Sequence, residues 1–390
     1  MKNKIRAALT VLFIPVFMFL VSCRSKLDRP ETIIENGVEV AVNHLEPHKI
    51  KGDSSNFLLE EEFLIDTEDN KLAKLGLADI QGFDIDSEGN IYLLSPRSGE
   101  RLVYKFNSKG NYVTSFGQKG QGPGELQMPV HLRIDKSNEI AVTDLINKRL
   151  SIFGKNGNLI KEIALGSDIM TAVPLEGGKY LVLKRLIEPN SEFLTQSPLS
   201  IYSSKFKEIK ELDRQKVPNP MIVNRLKATP HVFAFDISNG RIYIGNEERG
   251  YEIHVYDLEG NLLRKIRKEY LPVKVPEEFK KEYLKNFDDP RAASIREKIY
   301  FPDSMPPFHS FFIDDRGILF VMTYEEGEYP GEYIYDIFNK EGIFAGRKSL
   351  GIFWQEGPLY AKAKENRFYC TKAKDSGYKE LIVYKVNWKY

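Results

Sequence analysis

Cysteine is nearly missing from this sequence: 390 residues contain two, Cys23 and Cys370. A disulfide framework is therefore excluded, and the fold must rest on an apolar core. A charge excess of one sign is missing too. The formal net charge is +1, and near −2 once the first 22 residues, with Lys2, Lys4 and Arg6, are set aside. Without a basic excess there is no nucleic-acid footprint. No nucleophile elbow, phosphate loop, zinc-protease helix or cysteine cluster can be found. The loop Gly120-Gln-Gly-Pro-Gly124 lacks a following helix and a Lys-Ser/Thr pair, so its glycines serve tight turning rather than phosphate.

What is present is a repeat. Gly117 to Asn158 holds a glycine-rich loop followed by three short β-type runs, each closed by a turn signal. Leu132 and Ile134, Ile140 and Val142, and Leu150 and Ile152 alternate with polar neighbours, as half-buried strands do. Asn156-Gly157 is a hairpin turn, and Leu159, Ile160 and Ile163 begin a fourth strand. Four antiparallel strands make one blade of a β-propeller. The pattern returns at Phe83–Leu93 with Val103–Asn111, at Phe233–Ile244 with Ile253–Leu262, and at Phe311–Val321 with Ile334–Gly342. A period of roughly 40–50 residues is the mark of such a fold.

The expectation is an all-β chain: a six-bladed β-propeller of four-stranded antiparallel blades near 78–116, 130–165, 169–212, 232–268, 309–350 and 357–386. Phe63-Leu-Ile65 should pair with the last blade and close the ring. Leu186 to Pro198 interrupts the third blade, and Asp213 to Pro230 is a second insert. Pro276 to Phe287 reads as a short helical insert, with Pro276 in its first turn and Phe279, Tyr283, Leu284 and Phe287 on one face. Residues 55–390 form the propeller, 23–54 a tether and 1–22 a leader.

The leader has a positive start and an apolar run, Ala7 to Val21. It ends Leu20-Val-Ser-Cys23, which resembles a bacterial lipobox and implies a lipid on Cys23. The expected place is the cell envelope outside the cytoplasm, at the outer membrane or cell surface. Gly-x-Gly-Pro-Gly-Glu, Pro129, Ile134-Asp135, Val142-x-Asp144, Asn147-x-Arg149 and Phe153 resemble the NHL repeat. The whole pattern resembles the six-bladed propeller lipoproteins of Bacteroidetes. Asp144, Asn147 and Arg149 are expected to tie the second blade together.

Three of the six histidines stand just before the first strand of a blade: His131, His231 and His309. First strands line the channel of a propeller, so these rings could converge at its mouth as a zinc site with an open position. The Pro-His start of the segment at His231 is similar to the zinc-binding segments of the peptidylglycine amidating lyase, an NHL-type propeller. A calcium-dependent lactonase-like site would use acids such as Asp84 and Asp236, although blade starts here carry acids for their turns. The preferred reading is a non-catalytic, membrane-anchored module that binds a protein, peptide or glycan at its loop-rich face. The helix and the 213–230 insert would shape that face, with a patch around Tyr324–Tyr333 and Trp354 as an example. A metal-dependent lyase or hydrolase at the channel mouth is the alternative, and zinc or calcium enters only with it. Cys370 reads as a small buried residue.

Overall fold

The computed structural model describes residues 31–48, 55–352 and 361–389. The chain is a six-bladed β-propeller of mostly antiparallel, four-stranded blades. Blade 1 runs Gly82–Ile85, Ile91–Leu94, Arg101–Phe106 and Tyr112–Gln118 from the channel outward. Blade 2 is Pro129–Ile134, Ile140–Asp144, Arg149–Phe153 and Leu159–Ala164. Blade 3 is Ile169–Pro174, Tyr180–Lys184, Phe193–Tyr202 and Glu208–Pro218, with the short strand Leu186–Ile187 folded back onto the third. Blade 4 is Phe233–Ser238, Arg241–Asn246, Glu252–Tyr256 and Leu262–Lys268, and blade 5 is Ser310–Ile313, Leu319–Glu326, Tyr333–Phe338 and Phe344–Leu350. Blade 6 takes Ala361–Lys364, Arg367–Ala373 and Lys379–Trp388 from the end of the chain, and Phe57–Asp66 from its beginning. Val383 stands opposite Phe63 and Leu381 opposite Ile65, so the closing strand is the one expected.

The core is divided into layers between blades. Each apolar cluster joins two consecutive sheets; Phe312, Phe320 and Phe368 link blades 5 and 6, and Tyr92, Phe116 and Phe153 link blades 1 and 2. Phe312 and Phe320 are stacked with centroids 4.9 Å apart. One blade cannot bury both faces, so burial proceeds only by stacking around the ring. The fit is close: a Cβ on Gly157, at φ 84°, would lie 2.6 Å from Phe116 Cβ. That turn glycine lets blade 2 close against the outer strand of blade 1.

This topology gives two faces. On the turn face lie the short links between first and second and between third and fourth strands. Asp86, Asp135 and Asp314 each accept two backbone N–H groups at i+2 and i+4, and Asn107, Asp257 and Asn339 do the same in the outer turns. These carboxylates and amides are the reason for the recurring Asp/Asn-x-x-Gly signal. On the connection face lie the longer links between blades and between second and third strands. The helix Glu277–Lys285 is there, with Tyr283 packed on Phe279, Phe287 and Phe301. The two inserts meet as a parallel pair of strands, Leu226–Lys227 with Ile299–Tyr300. Arg225 lies 4.1 Å over the Tyr300 ring. Residues 213–218, expected as insert, instead extend the outer strand of blade 3.

The expected tether also needs correction. Glu31–Glu35 and Val38–Asn43 form a hairpin, and its second strand pairs in parallel with Leu262–Lys268. Blade 4 therefore has six strands. Asn36 and Gly37 make the turn at φ 51° and 80°, and Val40 and Ala41 are buried. Asn43 then clamps blades 4 and 5: its amide donates to Arg267 and Gly342 carbonyls, and its Oδ1 accepts from Phe344 N at 2.7 Å. The leader, Cys23 and Trp354 lie outside the described residues. Among the described residues no helix is long and apolar enough to cross a membrane.

Candidate functional site

Charged side chains meet along the channel. First strands from four blades bring Asp84, Arg133, Asp236 and Lys362 together. Arg133 Nη2 donates to Asp236 Oδ1 at 3.0 Å, and its Nε lies 3.8 Å from Asp84 Oδ2. Lys362 Nζ reaches Asp84 Oδ1 at 2.9 Å. Asp84 also accepts from Ile134 N, and Asp236 from Ile237 N. Burial alone would raise the Asp84 carboxyl, but Lys362 and Arg133 hold it below its usual range. Paired in this way, the four groups form a polar plug whose members are mutually committed.

Beside the plug, on the turn face, a cleft of about 350 Å³ opens between blades 2, 3 and 4. Arg133 stands at its inner end. Its walls include the apolar side chains of Ala141, Ile152, Val173, Leu175 and Tyr180. The rim is polar: Lys136 pairs with Glu176 at 2.6 Å, Lys179 with Glu259 at 2.8 Å, and Ser137, Lys161 and Asn239 border the opening. The first turn of blade 3 borders the gap. There the chain reads Leu175-Glu-Gly-Gly-Lys179, without the Asx residue that folds its counterparts in blades 1, 2 and 5. Gly177 and Gly178 both have positive φ, and a Cβ on Gly177 would meet nothing within 4 Å. No histidine or cysteine lines the cleft.

The three histidines keep separate company. His131 lies inside the strand Pro129–Ile134, opposite Thr143 and just after a register shift that follows Pro129. Its buried Nδ1 has no hydrogen-bond partner, and burial, reinforced by Arg133 and Lys362, pushes the ring down to about 3. His231 and His309 precede their strands. His231 Nδ1 is 3.3 Å from Glu247, which also holds Lys227 at 2.7 Å. His309 lies against Tyr324, centroids 5.3 Å apart, with its Nδ1 3.1 Å from Ser310 Oγ, and burial lowers it to about 4. Among the described residues no group of three or more His, Cys, Asp and Glu side chains is placed to hold a metal. Asp84 and Asp236, weighed above as calcium ligands, are occupied by Arg133, Lys362 and backbone amides.

Asp144, Asn147 and Arg149 act as ties, as expected. Asp144, fully buried, accepts from Gln127 N at 2.6 Å, Met128 N at 3.0 Å and Asn147 N at 3.2 Å. Asn147 donates to Gly120 O, and Arg149 to Gly122 O and Glu125 O. Together they fasten the glycine-rich loop to blade 2. Tyr324, at the start of the aromatic patch, points its hydroxyl inward, buried and without a partner. Cys370 is buried in blade 6, and burial pushes its thiol up to about 12.

Comparison with known proteins agrees with this architecture. Residues 79–238 match a family described as a 6-bladed beta-propeller. A protein from Bacteroides fragilis, described as exported, superposes with a TM-score of 0.54 at 13% identity, over 90% of this chain and 100% of that one. A member of the DUF4221 family from Bacteroides vulgatus gives 0.53 at 13% identity, over 86% and 99%. At this identity the likeness is one of fold. No curated protein matches the chain.

Proposed function

We propose that this chain is an exported, lipid-anchored propeller that binds a peptide or glycan in the turn-face cleft. The observation that carries the reading is the cleft itself: about 350 Å³, apolar side chains in its walls, and a rim of paired charges. That size and mixture suit a small ligand or a side chain of a larger one, held by apolar contact and oriented by a few polar groups. The reading is non-catalytic, with Arg133 at the inner end held by Asp236. It moves the expected binding surface from the loop-rich connection face to the opposite side. Export and a lipid on Cys23 rest on the leader pattern.

The test is a screen of peptide and glycan arrays with the full chain and with Ser137→Trp. Ser137 is exposed at the rim, so the indole would fill the opening without disturbing the core. A ligand bound by the wild type and lost in Ser137→Trp supports the reading. Ligands that bind both proteins equally place the site elsewhere and contradict it.

A further inference from the structure

The large apolar side chains left in solvent are unevenly placed. Some stand on outer strands, where single exposed residues are ordinary. The rest lie in links of the connection face. Met221 is 71% exposed, Leu271 68%, Tyr329 67% and Ile187 64%, and Ile146 and Met128 are also exposed. They come from blades 2, 3 and 5 and from the two links that flank blade 4. None of the described turn-face links carries one. Apolar groups concentrated on one face mark a contact surface.

The start of the chain says what that surface meets. The hairpin begins at Glu31, whose carboxylate lies 3.1 Å from His44 Nε2; His44 Nδ1 lies 3.3 Å from Glu269. Tyr270 and the exposed Leu271 follow Glu269 directly. The chain thus enters the fold beside the connection-face loops. Eight residue steps separate Cys23 from Glu31. Fully extended, they reach about 28 Å at most. A lipid on Cys23 would hold this side of the propeller near the bilayer, within reach of Leu271.

We infer that the connection face is a membrane-contact surface, with Leu271, Met221 and Tyr329 entering the lipid interface while the turn-face cleft points away. This rests on the lipid-anchor reading above. Aliphatic and tyrosine side chains on several loops suit the interfacial region, where shallow apolar insertion adds to the grip of acyl chains.

The experiment uses the full chain, purified with its own N-terminus, in vesicles of phosphatidylethanolamine and phosphatidylglycerol with brominated acyl chains. Single cysteines at Leu271, Met221, Tyr329 and, as the turn-face control, Lys109 carry an environment-sensitive fluorophore. Cys370 is buried and stays unlabelled. Flotation with vesicles and the mass of the N-terminal peptide report the anchor separately. The expected result is strong loss of emission at 271, 221 and 329, with 109 unchanged. Acylated, floating protein with no quenching at these sites overturns the inference alone and leaves the face to a protein partner. A Cys23 without lipid overturns the anchor reading and the inference with it.

Discussion

The two faces of this propeller are built from links of different length and folded differently. The turn face is made of short links, most of them folded by one carboxylate or amide accepting two backbone N–H groups, and it opens where blade 3 lacks that residue. The connection face is made of long links held by side chains reaching across sequence: Asp144 to residues 127 and 128, Arg149 to 122 and 125, Lys298 to Pro220 O. The turn-face links are folded from within and then joined sideways from blade to blade: Asn138 Oδ1 accepts from Ser87 N, Asn239 donates to Asp315 O, and Glu365 N donates to the Asp315 carboxylate. Links that satisfy each other make the connection face a cooperative surface.

The largest test of that difference is Asp144→Ala. It strips a buried acceptor from three backbone donors, so destabilisation of about 3 kcal/mol or more is expected in urea unfolding. A change under about 1 kcal/mol would mean that the glycine-rich loop is not tied as described. Val40→Ala tests whether the N-terminal hairpin belongs to the fold. Val40 is fully buried, and truncation should cost about 2 kcal/mol; no change would show the hairpin to be an ornament. Asp135→Ala is the turn-face counterpart of Asp144→Ala. It removes an acceptor from Ser137 N and Glu139 N in a half-exposed turn, where water can replace it, so about 1 kcal/mol is expected.

The smallest effect concerns pH. His131 and His309 are lowered from 6.5 to about 3 and about 4. Between pH 6.5 and 4 the unfolded chain binds protons on these rings while the folded chain does not. Their contribution is complete above pH 6.5 and is lost as pH falls toward the folded values. His131→Asn should therefore flatten the decline of stability below pH 6.5, measured by urea midpoints across that range. An unchanged slope would mean that His131 protonates in place.

Much of this was legible beforehand. Strand alternation and the recurring turn glycine located all six blades, and the apolar run at Phe63–Ile65 located the closing strand, because stacking sheets demand both patterns. Pro276 and its aromatic stripe located the helix. The hairpin at 31–43 was readable as well: Asn36-Gly37 and the alternation Val38, Val40, Val42 are strong signals, but charged neighbours made the segment look like tether. The histidines were misleading. Counting residues to the next aspartate already sets His131 apart, four before Asp135 where the others stand five before Asp236 and Asp314, and the structure places it inside its strand while they stay outside. The cleft had no positive signal; among its lining residues only Gly177-Gly178, both at positive φ, mark the open first turn of blade 3.

The most direct test of the central claim is hydrogen exchange on the full chain, with and without the array ligand. Binding in the turn-face cleft predicts joint protection of amides in 135–139, 175–179 and 237–240, with 219–232, 269–275 and 324–332 unchanged. Protection of those connection-face segments, with the turn-face amides unaffected, would contradict it.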